Sequence, residues 1–358
     1  MLARDHFLEF YMSVLRILIL LTLVFYSSIF SVYARGNAEI ESSGETKRIV
    51  QAGSSAFLVE NALYLFPEAV DQVVAMADGN QGRGFFAGDI DPGIVEKTVL
   101  PRTANTEAIL ALQPDIVVLK NFLEKRMGEP LERVGVKTIY LDLETPEAWM
   151  EDLVVLGELF DDSERAEELQ EMFRARIAVV EKPLKNLHDS EKPRTLVLYR
   201  SVKDGVKAVN VPPLSWIQTQ MVEMAGGEPV WGDADFGERW TRTGIEQIAA
   251  WDPDVIFVAA YHMDAVDAVD ELIQDSTWSS LRAVENGNIH AFPADYHSWD
   301  QPDVRWLLGL QWMAATLHPE LFPGLDMESE ARTFFNEMFF IDDTAFNEYI
   351  KPRLTGLN

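Results

Sequence analysis

The chain has 358 residues, with 30 Lys or Arg against 58 Asp or Glu, and its formal net charge is −28. A protein that binds nucleic acid needs a basic surface, so this balance argues against that class. It leaves an anionic ligand open, because a local group of arginines outweighs the overall charge at short range. The absence of cysteine excludes disulfides, thiolate metal sites, Cys nucleophiles and a lipid-modified Cys at a signal cleavage site.

The first 34 residues have the pattern of an export signal. Arg16 precedes a long apolar run, and Val32-Tyr33-Ala34 has the small-residue pattern of a cleavage site. We therefore expect a cleavable signal peptide over 1–34, a flexible lead-in over 35–46 and a periplasmic mature protein. The alternative is an uncleaved membrane anchor, because the apolar run is long enough to span a bilayer. Met12 is an alternative start to Met1, since Asp5 and Glu9 suit a leader poorly.

The segment 47–145 alternates between buried strands and helices. This alternation predicts a parallel sheet with helices on its faces. The region 78–100 is rich in Gly and Asp, and predicts a loop with little regular structure. The predicted strands are 48–52, 72–77, 115–120 and 137–142, and the predicted helices are 56–66, 106–112 and 122–135.

The remainder predicts a helical connection, a second α/β segment and a helical tail. Residues 146–190 are almost wholly helical and include a long helix over 162–187 with Asp162 or Ser163 as its cap. The α/β pattern restarts over 191–300. The pattern over 301–358 predicts helices that pack on the two α/β segments. In the second α/β segment the predicted strands are 195–200, 205–211, 254–260 and 289–292, with 205–211 either a separate strand or part of a hairpin. The predicted helices there are 215–227, 243–251 and 264–274.

One phrase occurs twice, once in each α/β segment. "EAILALQPDIVVL" covers 107–119 and "EQIAAWDPDVIFV" covers 246–258, with Glu, Ile, Ala, Pro and Asp at matching places. Repetition of a supersecondary unit within one chain indicates repeated architecture. We therefore expect an α/β fold with two similar lobes, each built on a parallel sheet, and a long helix that joins them.

The chain resembles the substrate-binding proteins of ABC importers for iron complexes and cobalamin. The resemblance covers roughly 47–350 and is carried by "TANTEAILALQPDIVVL", "GVKTIYLDLE", "MAGG", "TRTGIEQIAAWDPDVIFV" and "SWDQPDVRWLLGLQWMAATLHPELF". It implies two Rossmann-like lobes with parallel sheets, a long rigid helix between them and a ligand cleft where the lobes face each other. It also implies a monomeric binding protein with no cofactor and no enzymatic activity. It also implies that Glu107 and Glu246, one at the tip of each lobe, dock on arginines of a permease in the inner membrane. Charge pairing of this kind suits bidentate Arg contacts.

The ligand is expected beyond the carboxyl ends of the strands, where open parallel sheets bind their ligands. Ser54 and Ser55 lie at a predicted helix amino terminus, which favours anions. Aromatic side chains stack on flat chelates, and Arg pairs with carboxylates. Trp306 and Trp312 have helical spacing and are expected in the core, and Arg83 and Arg126 are not counted as cleft residues. The remaining expected cleft residues are Tyr199, Arg200, Trp216, Trp240, Arg242, Tyr261, His262, Tyr296, His297 and Trp299.

An iron complex, either a ferric siderophore or haem, is the first expectation for the ligand. A corrinoid such as cobalamin, an oxyanion and a bare metal ion remain alternatives, the last disfavoured because only His262 and His297 follow strands. A chelatase-like enzyme on a related scaffold is the alternative from another class, although no GxSxG, HExxH or GxxxxGK[ST] pattern occurs. The long helix predicts only small lobe movements on binding.

Overall fold

The computed structural model describes residues 46–203, 205–232, 237 and 239–357. The chain divides into two units, Met1–Thr46 and Lys47–Asn358, and every element below belongs to the second. The expected signal peptide and most of the lead-in lie outside the described residues. Within the described part of the chain, none of the helices combines the length and apolar character needed to cross a membrane.

The N-terminal lobe is built on a five-stranded parallel sheet. Its strands are β1 Ile49–Gln51, β2 Val73–Ala77, β3 Thr98–Leu100, β4 Ile116–Lys120 and β5 Lys137–Leu141. They lie in the order β3-β2-β1-β4-β5, and all four pairings are parallel. Its helices are α1 Ala56–Leu63, α2 Ala69–Gln72, α3 Phe86–Ile90, α4 Thr106–Leu110 and α5 Glu129–Glu132. The parallel sheet expected for this lobe is confirmed.

One local prediction in this lobe was wrong and another was confirmed in part. The predicted loop over 78–100 contains α3 and the edge strand β3, a three-residue strand in which Thr98 and Val99 are exposed. The predicted helix over 122–135 is helical as far as Glu132, but as consecutive 3₁₀, π and α turns rather than as one α-helix. Gly128 lies in these turns, and a Cβ there would come within 1.9 Å of the hydroxyl of Tyr140, so the tight packing needs glycine.

Two helices connect the lobes. They are α6 Pro146–Phe160 and α7 Ser163–Leu184. Thr145 caps α6 by accepting a hydrogen bond from Ala148, and Asp162 caps α7 by accepting one from Arg165. The 22 residues of α7 give a rod of about 33 Å. The predicted backbone helix and its Asp162 cap are therefore confirmed.

The C-terminal lobe has a mixed sheet, whereas the sequence predicted a parallel one. Strands β6 and β7 form an antiparallel hairpin, and β9 pairs antiparallel with β7. Gly205 has φ 76° in the hairpin turn, a conformation that glycine adopts without strain. The order is β11-β10-β6-β7-β9, and β8 pairs with β6. The strands are β6 Arg194–Lys203, β7 Val206–Val211, β8 Glu228–Pro229, β9 Thr241–Thr243, β10 Val255–Ala259 and β11 Ile289–Ala291.

The remaining helices cover this sheet and close the core. They are α8 Ile217–Met224, α9 Ile245–Trp251, α10 Ala265–Gln274, α11 Arg282–Glu285, α12 Trp306–Leu317, α13 Met327–Phe339 and α14 Asp343–Ala345. Helix α12 packs on α7 and α8. Trp306 and Trp312 are buried, as predicted. Phe173 of α7 lies 6.3 Å from Trp306 of α12, ring centre to ring centre, so α7 and the tail share one core that extends under both sheets.

Candidate functional site

Residues from both lobes meet at a junction beside the carboxyl ends of the two sheets. Gln81 follows β2 and Gln301 follows β11, and their side-chain amides exchange hydrogen bonds of 2.9 and 3.0 Å. Phe57, in the first turn of α1, stacks on His297 with 4.6 Å between ring centres. We call these four side chains the lobe junction. It is the place where a ligand held by both lobes would lie.

Four aromatic side chains cluster on the C-terminal lobe. Tyr199 and Tyr261 stack at 4.4 Å, and Trp240 lies 5.2 Å from Tyr199 and 5.7 Å from Trp216. All four are half-buried. They come from β6, from the end of β10 and from the residues before α8 and β9. The structure therefore brings together four of the expected cleft residues, and we call them the aromatic wall.

The aromatic wall is connected to the lobe junction by hydrogen bonds. The hydroxyl of Tyr261 donates to the carboxylate of Asp300 at 2.7 Å, and the hydroxyl of Ser298 donates to the other oxygen at 2.6 Å. Asp300 directly precedes Gln301 of the junction. Burial, and then the charge of Asp300, raises the pKa of Tyr261 well above its ordinary value. Burial also raises the pKa of Asp300. The Tyr261 phenol is thus held neutral, as a rigid stacking surface.

Ser54 and Ser55 lie beside the junction. Both are half-buried and come immediately before α1, two or three residues from Phe57. Ser55 has φ 59°, and its side chain does not cap the helix. This placement keeps both serines as candidates for ligand contact on the N-terminal lobe.

Three other expected cleft residues lie at different places in the structure. Arg242 of β9 is exposed and, through Asn210 of β7, is in register with Tyr199, so it shares the face of the aromatic wall. His262 is exposed next to Tyr261. Arg200 points to the opposite face of β6, because side chains alternate along a strand. It pairs with Glu271 of α10 at 3.6 Å, so its expected place in the cleft is corrected.

Tyr296, His297 and Trp299 are buried rather than exposed on a cleft surface. The Trp299 indole donates to Asp295 at 2.9 Å, and the Tyr296 hydroxyl donates to Asp89. Asp295 in turn pairs with the buried Arg305 at 2.7 Å. The expectation of three open cleft residues is therefore corrected, because all three are buried and Asp89 and Asp295 take up the polar atoms of Tyr296 and Trp299.

His297 remains next to the site, in the lobe junction. The residue is 2% exposed, and its Nδ1 has no hydrogen-bond partner among the described residues. Burial, followed by the charges of Arg305, Arg83 and Arg102, lowers the pKa of His297 to about 3, although Asp303 opposes them. A neutral imidazole with a free nitrogen can form a hydrogen bond with a ligand or a water.

Sequence reasoning missed three features near the site. Arg83 crosses from the N-terminal lobe to the backbone oxygen of Asp295. Phe122, the second residue after β4, is 57% exposed at the carboxyl end of the sheet. Arg102 and Arg126 line a cavity of about 320 Å³ at the end of β3. The rule that residues after strands form the cleft would have found Phe122 and Arg102, but β3 was not predicted and Phe122 was assigned to a predicted helix.

The two repeated glutamates have matching positions. Glu107 lies in the first turn of α4 and Glu246 in the first turn of α9, and both are exposed. Each helix leads through an aspartate into a buried strand, β4 or β10. The repeated phrase therefore marks the same structural unit in each lobe, as the sequence predicted.

The chain is similar to binding proteins of several bacteria and an archaeon. It is 20% identical over 258 residues to the molybdate-binding protein MolA of Haemophilus influenzae, covering 66% of this chain and 70% of that protein. It is 24% identical over 267 residues to a cobalamin-binding protein of Halobacterium salinarum, covering 72% of this chain and 69% of that protein.

The fold is shared with solved structures. A periplasmic solute binding protein of Veillonella parvula superposes with a TM-score of 0.68 at 21% identity, covering 86% of this chain and 92% of that one. The model of the family described as "Periplasmic binding protein" matches residues 93–296, which is more than half of the chain. The chain therefore belongs to the periplasmic binding protein family, a family of solute-binding proteins.

Proposed function

We propose that this protein captures an iron complex, a ferric siderophore or haem, in the cleft between its lobes and delivers it to the permease of an ABC importer. The observation that carries the proposal is the aromatic wall beside the lobe junction. Tyr199, Trp216, Trp240 and Tyr261 form one continuous aromatic surface. A flat chelate or macrocycle stacks on such a surface with little loss of side-chain entropy, because the rings already hold each other in place.

The energy required for binding is modest. A micromolar dissociation constant corresponds to about −8 kcal/mol. Stacking on two or three rings contributes about 0.5–1.5 kcal/mol each beyond area burial, and hydrogen bonds to charged groups about 1.5–3 kcal/mol each. Arg242, on the face of the aromatic wall, and the serines before α1 provide groups that can pair with the acidic or oxygen-rich parts of a chelate.

Two related proteins point to the alternative ligands. MolA is named for molybdate and the archaeal relative for cobalamin, so an oxyanion and a corrinoid are the competing cargoes. A corrinoid suits the aromatic wall as a haem does, whereas a small oxyanion would use little of it. A chelatase-like enzyme is the competing proposal from another class, and insertion of a metal into a porphyrin by the purified protein would support it.

Delivery would use the two exposed glutamates. Glu107 and Glu246 occupy equivalent helix starts in the two lobes, so they present two separated negative charges. Paired arginines on a permease would fix the orientation of the binding protein on the transporter. The expected leader over 1–34 places this encounter in the periplasm.

A fluorescence titration tests the cargo. The purified chain is titrated with ferric siderophores, haemin, cobalamin, molybdate and zinc while its tryptophan emission is followed. We expect one chelate or macrocycle to cause saturable quenching, and Trp240→Ala to weaken its binding by about tenfold or more. Trp251→Ala is the matched control, because Trp251 is also half-buried in the same lobe but precedes β10. A response to molybdate or zinc alone, indifferent to Trp240→Ala, would refute the iron-complex proposal.

A further inference from the structure

A cationic cavity lies on the N-terminal lobe at the end of β3. Its volume is about 320 Å³, and it opens between the residues after β3, the start of α4 and the turns after β4. Arg102 and Arg126 provide two guanidinium groups. Thr103, Thr106 and Asn105 add polar side chains, and Ile109 and Met127 provide apolar contacts. Among the described residues that line the cavity, none is acidic.

Neither arginine of the cavity has an acidic partner among the described residues. Acidic residues outnumber basic ones in the chain by 58 to 30, and several arginines elsewhere are ion-paired, for example Arg282 with Asp252 at 3.0 Å. Arg102 instead donates to the backbone oxygens of Asp78 and Asn80, at 2.6 and 2.8 Å. Arg126 has neither a hydrogen bond nor an ion pair with another described residue. Both guanidinium groups therefore keep donors that point to no carboxylate of the chain itself.

The contacts of Arg102 place the cavity near the lobe junction. Asp78 and Asn80 belong to the loop that carries Gln81, whose amide pairs with Gln301 of the other lobe. These two backbone contacts orient the Arg102 guanidinium before any ligand arrives, which lowers the entropy lost on binding. A ligand that extends from the aromatic wall past the junction would meet this side of the N-terminal lobe.

We propose that the cavity between Arg102 and Arg126 is an anion site that binds a carboxylate or a tetrahedral oxyanion. A guanidinium group matches both geometries with two parallel hydrogen bonds, and two such groups surround one anion. The anion comes either from an acidic group of the cargo or from a free anion in the periplasm. The first source rests on the function proposed above, and the second does not.

The first experiment measures anion binding directly. The purified chain is titrated with citrate and with inorganic phosphate by calorimetry, at constant ionic strength set with sodium chloride. We expect saturable binding that weakens about tenfold or more in Arg126→Gln and in Arg102→Gln. Arg133→Gln should bind like the wild type, because Arg133 is exposed on the same lobe but does not line the cavity. Wild-type affinity in both cavity variants, or no saturable binding of either anion, overturns the proposal.

The second experiment distinguishes the two sources. Ferric citrate, which carries carboxylates, and a ferric trihydroxamate, which carries none, are compared by tryptophan quenching in the wild type and in Arg126→Gln. Loss of affinity for ferric citrate alone, with competition by free citrate, identifies the cargo as the source. Anion binding that leaves the quenching by either chelate unchanged identifies a free anion. A chelate that quenches equally in both proteins, with no anion bound, removes this site and leaves the proposed function standing.

Discussion

Asp115 accepts a hydrogen bond of 2.7 Å from the backbone N–H of Arg48, the residue before β1. Asp254 does the same for Arg194, the first residue of β6, at 2.9 Å. Each arginine also donates a side-chain hydrogen bond to a backbone oxygen in the segment just before the aspartate, that of Leu112 at 2.8 Å or that of Trp251 at 2.7 Å. The repeated Pro-Asp thus fastens the helix–strand unit to the first strand of each lobe, which is why the phrase occurs twice.

Loss of these aspartates should destabilise the two lobes separately. We expect Asp115→Ala and Asp254→Ala each to lower the free energy of unfolding by about 1 kcal/mol, and Asp254→Ala to cost more because Asp254 also pairs with Arg282. The double variant should lose the sum of the two single losses in free energy of unfolding, since the sites lie in different lobes. Urea denaturation measures this, with the exposed helical Asp270→Ala as the control. A strongly non-additive double variant would contradict two independent fastenings.

Arg83 should couple the C-terminal tail to both lobes. It donates to the backbone oxygen of Asp295 at 2.7 Å, to Arg353 at 3.1 Å and to the hydroxyl of Thr355 at 3.0 Å. Arg83→Ala should lower the free energy of unfolding by about 2 kcal/mol and speed hydrogen exchange over 351–357. Hydrogen exchange with mass spectrometry tests this, with Arg133→Ala as the control. Unchanged exchange in the tail would show that the tail is held without Arg83.

The same coupling supports the expectation of limited lobe movement. The lobes are joined by α7 and also by Arg83 and the Gln81–Gln301 pair. We expect small-angle scattering curves with and without the bound chelate to differ little in the wild type. A large decrease in the radius of gyration on binding would contradict this expectation.

Glu60 should give the protein an unusual pH dependence. The residue is 2% exposed, and its Oε2 has no hydrogen-bond partner among the described residues. Burial raises its pKa to about 8, while the N–H of Ala87 and the charge of Arg305 oppose the rise. The folded state therefore holds a proton that the unfolded state releases near pH 4.5. The stability that this proton provides is fully present below that pH and is lost as the pH rises through about 8.

Glu60→Gln should remove this pH dependence. We expect the variant to gain stability relative to the wild type as the pH rises from 5 to 8, in urea denaturation at each pH. His297, whose pKa is lowered to about 3, destabilises both proteins as the pH falls below about 6.5, so its effect cancels in the difference. A difference that does not change with pH would mean that Glu60 is ionised in the folded protein.

Glu107 and Glu246 should affect transport without affecting cargo binding. Charge reversal of both, Glu107→Arg with Glu246→Arg, should reduce uptake of the bound chelate by tenfold or more, because like charges would meet at the permease. The dissociation constant of the chelate should stay unchanged in fluorescence titration. Glu223→Arg with Asp270→Arg, at exposed sites on α8 and α10, is the control for net charge. Normal uptake by the double variant would contradict the docking role.

The sequence alone determined the two-lobed α/β fold, the connecting helix and the unit behind the repeated phrase. These follow from buried runs, Pro and Gly positions and helix caps, all of which are local in the chain. It also included the four residues of the aromatic wall among the expected cleft residues, because Tyr199 lies near the carboxyl end of one predicted strand and Tyr261 follows another. Edge strand β3 escaped prediction because it has only three residues, two of which, Thr98 and Val99, are exposed.

The tertiary structure decided which polar and aromatic side chains face the cleft. Arg200 turned away because side chains alternate along β6, and its partner Glu271 belongs to a distant helix. Tyr296 became buried because Asp89, far from it in the chain, accepts a hydrogen bond from its hydroxyl. Arg102 and Arg126 form one cavity because the turns after β3 and β4 come together. Each of these outcomes depends on contacts between residues far apart in the chain, which no local pattern encodes.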